Sequence, residues 1–256
     1  MQNMEMKRKS PSTSNKFHDE IQDWDAETPL SDIPAVLRED YPDTLAYFEE
    51  FLVSAHPHKK GAVCPFMPKV LSAGTLRFFF METMGILQTV AKLRDVGEQY
   101  LDHAANAEPN STVFVVFFEP NYPPKSLVTA QGAITVEFMR AQTMVATTFE
   151  SNAARSLHDD SFQPFRTSLP CLIFRSMTVQ DIAFLDFQKR TNPRLIMTFA
   201  TAYLNTATNR KGGGRASLDE LNAVRELLRK ARRQVWIRRS ILAVLACAIG
   251  FAIYSL

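Results

Sequence analysis

Thr112-Val-Phe-Val-Val-Phe-Phe-Glu119 decides how the rest of the chain is read. Its inner residues, 113–118, are all valine or phenylalanine, with no polar residue at alternate positions. A strand with one wet face alternates, whereas an unbroken apolar run is covered on both faces. This stretch therefore predicts a central strand.

Two similar runs flank it. Residues 75–81 (Thr-Leu-Arg-Phe-Phe-Phe-Met) and 171–177 (Cys-Leu-Ile-Phe-Arg-Ser-Met) are apolar and aromatic, and they read as further strands. Leu87, Val90, Ala91, Leu93 and Leu101 predict a helix over 84–105, and Phe138, Val145 and Phe149 predict a second over 134–156. Leu45, Phe48, Phe51 and Leu52 give 42–53 a helical spacing. Residues 179–187 and 193–204 predict shorter helices, the second opened by Pro193. Strands separated by helices of this length suggest βαβ units. The expected fold class is α/β, a single domain with a mainly parallel or mixed sheet flanked by helices, plus a C-terminal transmembrane helix.

Composition sets the outer limits. The chain has 256 residues, 46% of them apolar and 22% charged, which excludes a mostly disordered, collagen-like or polytopic membrane protein. Three cysteines at 64, 171 and 247 are too few and too scattered for a disulfide framework or a thiolate zinc cluster, and they fit a reducing compartment. No secretory signal opens the chain: residues 1–30 are polar.

The formal charge of +2 is unevenly placed. Residues 210–256 carry ten basic and three acidic groups, whereas residues 1–209 carry 19 and 24. No charged side chain occurs from Ser240 to Leu256, a segment of roughly 25 Å as a helix, and Val235, Trp236 and Ile237 extend the apolar stretch. Arg238 and Arg239 would snorkel to the head groups, with Trp236 and Tyr254 near the two ends of the span. The pattern predicts a tail anchor in a lipid bilayer, with a single pass and the N-terminal domain cytoplasmic. The expected organisation is a disordered lead over 1–29, the α/β domain over 30–206 and a flexible linker over 207–216 around Gly212-Gly-Gly214. A basic amphipathic helix over 217–239 follows, opened by the capping box Ser217-Leu-Asp-Glu220, and then the anchor over 240–256. A polybasic segment directly before an anchor serves orientation and anionic lipid, so no nucleic-acid partner is expected.

No nucleotide-binding, metalloprotease or nucleophile-elbow motif is present. The densest polar cluster is His56-Pro-His58-Lys-Lys-Gly-Ala-Val-Cys64-Pro-Phe66-Met-Pro68, just before the first strand. Its imidazoles and thiol can ligate a metal or haem iron, and a thiolate can act as a nucleophile. Equally, the Cys64–Pro68 part reads as an apolar plug closing the core. Arg77 and Arg175 each put a charge into an apolar strand, which requires a partner or an anionic ligand. Cys171 reads as a small core residue and His158-Asp-Asp160 as a polar loop. No catalytic residue is assigned.

The run His56-Pro57…Gly61-Ala-Val-Cys64-Pro-Phe66-Met-Pro68 resembles a widespread bacterial domain family of unknown function that carries a His-Pro…Gly-x-Val-Cys-Pro-Phe-x-Pro segment. Leu172-Ile-Phe-Arg175-Ser-Met177…Asp181-Ile-Ala-Phe184-Leu185 and Asn192-Pro193…Leu195 look like that family's second half. The resemblance covers about 42–205. More distantly, Cys64-Pro-Phe66…Gly74-Thr-Leu-Arg77-Phe78 is similar to the opening of the YqcI/YcgG-like family, some members of which are haem-dependent N-oxygenases. That resemblance implies haem as a cofactor, with Cys64 and Arg77 at matching positions and His56 and His58 as the nearby candidate iron ligands, neither assigned as the axial one. The expectation is a membrane-tethered, oxygenase-like enzyme that acts on a small polar molecule at a pocket of His56, His58, Cys64, Phe66, Arg77 and Arg175. The alternative is a non-catalytic, membrane-anchored binding or scaffold protein.

Overall fold

The computed structural model of the chain describes residues 21–58, 60–108, 110–156, 159, 161–178, 181, 193–209 and 218–254. Residues 1–20 of the expected lead over 1–29, residues 210–216 of the expected linker over 207–216 and, apart from Asp181, the helix at 179–187 lie outside them, as do His158 and Asp160.

The chain order is β1 (Asp23–Asp25), α1 (Tyr41–Ala46) running into a π-helical turn (Tyr47–Phe51), α2 (Met67–Ala73), β2 (Leu76–Met81) and α3 (Ile86–Asn106). It continues with β3 (Val113–Phe118), α4 (Pro124–Arg140), β4 (Thr143–Thr148), β5 (Cys171–Ser176), α5 (Pro193–Asn209) and α6 (Leu218–Tyr254). Two short 3-10 turns, Leu30–Asp32 and Ala35–Leu37, precede α1. The five strands form one sheet in the order β1-β2-β3-β5-β4. Every residue of β3 is buried, as its unbroken apolar run requires.

Of the two arrangements expected, mainly parallel or mixed, the sheet is the mixed one. Among hydrogen-bonded neighbours only β2 and β3 run parallel, with Leu76 opposite Val113. β1 on β2, β5 on β3 and β4 on β5 are all antiparallel. The α4 crossover from β3 does return to a parallel strand, β4, but it skips one place. β5 turns back to fill that gap. The expected helix over 134–156 is corrected. α4 stops at Arg140, Gln142 takes a left-handed φ of 62°, and Thr143–Thr148 continues as β4. Its β-branched residues fit a pleated surface better than a helix.

Alternation divides the core into two layers. Phe79 and Met81 of β2, Phe114, Val116 and Phe118 of β3, and Leu172 and Phe174 of β5 pack under α3 and α4. Contact there is close, because a Cβ on Gly97 of α3 would come within 2.1 Å of the Phe138 ring on α4. Leu76, Phe78, Val113, Val115, Phe117, Cys171 and Ile173 face the opposite way. They are covered by the short turns of 24–52 and by α2, among them Trp24, Leu37, Tyr41, Phe48 and Met67. A pair of long helices seals the first face; several short pieces cover the second.

α5 packs on the end of α4 through Phe199, Ala202 and Met139, and on α6 through Ala200, Val224 and Leu228. This corrects the expected transmembrane helix. Among the described residues no helix is long and apolar enough to cross a membrane. The basic segment and the charge-free segment belong to one helix, Leu218–Tyr254, whose first half packs one face on α5 through Val224 and Leu228. After Arg239 the helix has only 240–254 left, roughly 22 Å against a hydrocarbon core of ~30 Å. The single-pass placement, and the cytoplasmic-side topology inferred from it, therefore have no spanning helix to rest on. Trp236, Arg238, Arg239 and Tyr254, read as anchor flanks, are positions along α6, with Trp236 69% exposed.

Candidate functional site

The site lies on the face covered by short pieces, where the cover does not close. Cys171, Ile173 and Arg175 of β5 alternate onto this face. Opposite them, the turn after α1 is wound as a π-helix, with the Leu52 N–H donating to the Tyr47 carbonyl at 3.0 Å. Such turns insert a residue and redirect side chains, and they are frequent at functional sites. Here Tyr47, Phe48 and Leu52 line the same cavity. The Tyr47 hydroxyl donates to the Pro164 carbonyl at 2.6 Å, tying the turn to the 149–170 connection. Burial, with Cys64 and Cys171 nearby, pushes the Tyr47 phenol upward, so it stays neutral.

The 54–64 loop folds back on itself. The His56 N–H donates to the Gly61 carbonyl at 2.8 Å, Val63 N–H to Ser54 at 2.9 Å, and Cys64 N–H to Leu52 at 2.8 Å. Gly61 closes the turn at φ 99°, which L side chains rarely adopt. The His56 ring is buried and meets Phe162 edge-on at 4.9 Å. Its Nδ1 accepts from the His58 N–H at 3.0 Å, and its Nε2 lies 3.4 Å from Ser156 Oγ. The His58 ring turns outward to Asp159, at 3.4 Å. Hydrogen bonds from Ser161, with His58 adding to them, hold the Asp159 carboxyl below the usual carboxylate range.

Arg175 is the most heavily engaged of these residues. Its Nη1 donates to Asp181 Oδ2 at 2.9 Å and its Nη2 to Asp181 Oδ1, a bidentate pair. Asp181, 2% exposed, also accepts from the Thr178 N–H at 2.7 Å and the Thr178 hydroxyl at 3.1 Å. The Phe66 ring lies 5.4 Å from the guanidinium carbon. Burial works against the charge on Arg175, but the Asp181 carboxylate more than offsets it, and the guanidinium is held charged. The result is a partly open cavity of about 150 Å³ with largely apolar walls, Tyr47, Phe48, Phe66 and Phe162 among them, and one ion pair set into them.

His56, Cys64, Phe66 and Arg175 thus come together around one cavity. His58 stands beside it, facing Asp159. Arg77 is elsewhere: it follows Leu76 on β2, so it points to the α3/α4 side, where it lies 3.5 Å from Asp23 and 3.7 Å from Asp25 of β1. Tyr47, Ser156, Phe162, Thr178 and Asp181 are further lining residues that the residues alone do not single out. One signal for Asp181 was available: a carboxylate six residues after an arginine in a strand, across the turn-forming Met-Thr, can fold back to pair with it.

Haem does not fit this space. A drug-sized ligand already needs ~300–1,000 Å³, well above the cavity's volume. With Nδ1 accepting a backbone N–H, the other ring nitrogen of neutral His56 carries the proton and offers no lone pair to a metal. No group of three or more His, Cys, Asp or Glu among the described residues could hold a metal ion, so the metal set of His56, His58 and Cys64 is not formed.

A family profile described as a domain of unknown function, DUF6875, matches residues 42–211. The chain belongs to the DUF6875 family. Comparison with curated proteins and with solved structures returns no match. The DUF6875 match takes in the whole cavity wall from Tyr47 to Asp181 and leaves β1 and α6 outside it.

Proposed function

We propose that the DUF6875 domain of this chain binds a small, ring-sized, mainly apolar molecule with one hydrogen-bond-accepting end. The observation that carries this reading is the Arg175–Asp181 pair in the wall of an aromatic cavity. Buried ion pairs contribute little net stability relative to apolar packing. A charged pair kept beside an open space is therefore better explained by recognition than by stability. Three of the five guanidinium N–H groups are taken by Asp181 and the Ser176 carbonyl, which leaves donors for an incoming acceptor. A volume near 150 Å³ suits a single six-membered ring. The distant likeness to YqcI/YcgG-like proteins adds only the position of Cys64, on the cavity wall.

The test is thermal unfolding of the full chain with benzoate, benzamide or benzyl alcohol. A ligand at a hundred times its Kd adds ~2.7 kcal/mol, an upward shift of several degrees for a protein of this size. The carboxylate and the amide are expected to raise the midpoint and to slow alkylation of Cys64. Ala146→Leu, which fills the cavity, is expected to abolish both effects while the chain stays folded. If these compounds neither stabilise the protein nor shield Cys64, the reading fails.

A further inference from the structure

At the C-terminal end of α4, three arginines from three helices line one cleft that shares no described lining residue with the cavity. Arg140 lies in the last turn of α4, Arg194 in the first turn of α5, and Arg239 on α6. The cleft is open, with a volume of about 560 Å³. Its floor is one stripe of α5. Thr198, Thr201 and Asn205 follow Arg194 at helical intervals of four, seven and eleven residues, which place them on one face. Met197, Ala202 and Val235 supply apolar wall between them.

Among the described lining residues the charge is one-sided. None of the described residues lining the cleft is acidic. Among the described residues no carboxylate pairs with Arg140 or Arg239. Convergence of like charges from separate elements is unfavourable unless something negative sits between them. Guanidinium groups match phosphate oxygens in a bidentate geometry, and the threonine hydroxyls and Asn205 amide add neutral hydrogen bonds.

We infer that this cleft binds a phosphate group, carried by a soluble phosphate compound or by a lipid headgroup. The site is independent of the aromatic cavity: it uses other residues and stands whether or not the cavity takes a ligand.

Two binding arms on the full chain test this at fixed ionic strength: titration with pyrophosphate, and co-sedimentation with phosphatidylcholine vesicles with and without phosphatidic acid. Each of Arg140→Gln and Arg239→Gln is expected to weaken binding about tenfold, and the pair roughly a hundredfold, for charge-assisted hydrogen bonds. Both side chains are exposed, so the unfolding midpoint should stay in place. Saturable pyrophosphate binding with that loss supports a soluble source. Binding confined to phosphatidic acid vesicles, with the same loss, supports the lipid source. Absence of binding in both arms, or binding that the double variant leaves intact, overturns the inference.

Discussion

Arg77 and Arg175 occupy similar strands and have opposite fates. Each interrupts a run of apolar residues, and each finds a carboxylate. Arg77 lies toward the sheet border, 36% exposed, and meets two aspartates that are about half exposed at distances of 3.5 and 3.7 Å. Arg175, 19% exposed, sits on the opposite face in a two-pronged contact with a carboxylate that solvent hardly reaches. Water can replace the partners of the first arginine; nothing replaces those of the second. The difference is one of sheet face and depth, and it extends to the layers around the two residues. Long helices close the Arg77 side, whereas short turns cover the Arg175 side and leave it hollow.

The sharpest way to break the comparison is Arg175→Met. Asp181 would be left buried without its cation, at an expected cost of ~3–5 kcal/mol in urea unfolding. Adding Asp181→Leu should recover most of that loss, because the stranded charge is then gone. A smaller effect is expected on the sealed face. In Gly97→Ala the new methyl group collides with the Phe138 ring, and overpacking of ~1–3 kcal/mol exceeds the ~1 kcal/mol gained in helix propensity. A net loss of up to about 2 kcal/mol should appear as a lower urea midpoint at unchanged slope.

Alkaline titration probes the hollow face again. Burial pushes the Cys171 thiol up to about 12, whereas an unfolded cysteine titrates near ~8.5. The folded state thus holds its proton more tightly. The resulting stability is complete below pH ~8.5 and is lost as pH rises towards 12. Unfolding followed from pH 8 to 11 should show a progressive loss that Cys171→Ala reduces. Iodoacetamide should label half-buried Cys64 in the native state and reach Cys171 only on unfolding. The smallest effect is expected for Arg77→Ala, ~0–1 kcal/mol and weaker still in high salt, as for exposed ion pairs generally. A loss at Arg77 as large as that at Arg175 would end the contrast.

The parts of this fold that could be read in the sequence are those whose signal is local. β2, β3 and β5 announce themselves as apolar runs, and α3 by its periodicity. β4 does not, because Phe138, Val145 and Phe149 happen to keep a helical spacing across a chain reversal at Gln142. Nor does β1, three residues reading Asp-Trp-Asp. The antiparallel entry of β5 depends on the path of the long 149–170 connection, which no local pattern encodes. The site divides along the same line. Proline and glycine marked the 56–68 loop, and the unusual charge marked Arg175. Placing Arg77 required knowing which sheet face carries the cavity, and the parity of residue numbers relates positions only within one strand. The apolar tail was read by composition alone, whereas its helix is defined by packing on α5 that begins well before it.

The three-residue β1 guards the border of the sheet. The outer edge of β2 is a six-residue strand, three of its residues phenylalanine, whose backbone, left unpaired, is a natural template for recruiting a foreign strand. β1 occupies that ladder, and the Gln22 carbonyl takes the Phe80 N–H at 3.2 Å. The next edge is then too short and, through Asp23 and Asp25, too acidic to invite more. A shortened chain starting at Pro42, where the family match starts, would surrender this guard and should self-associate in light scattering.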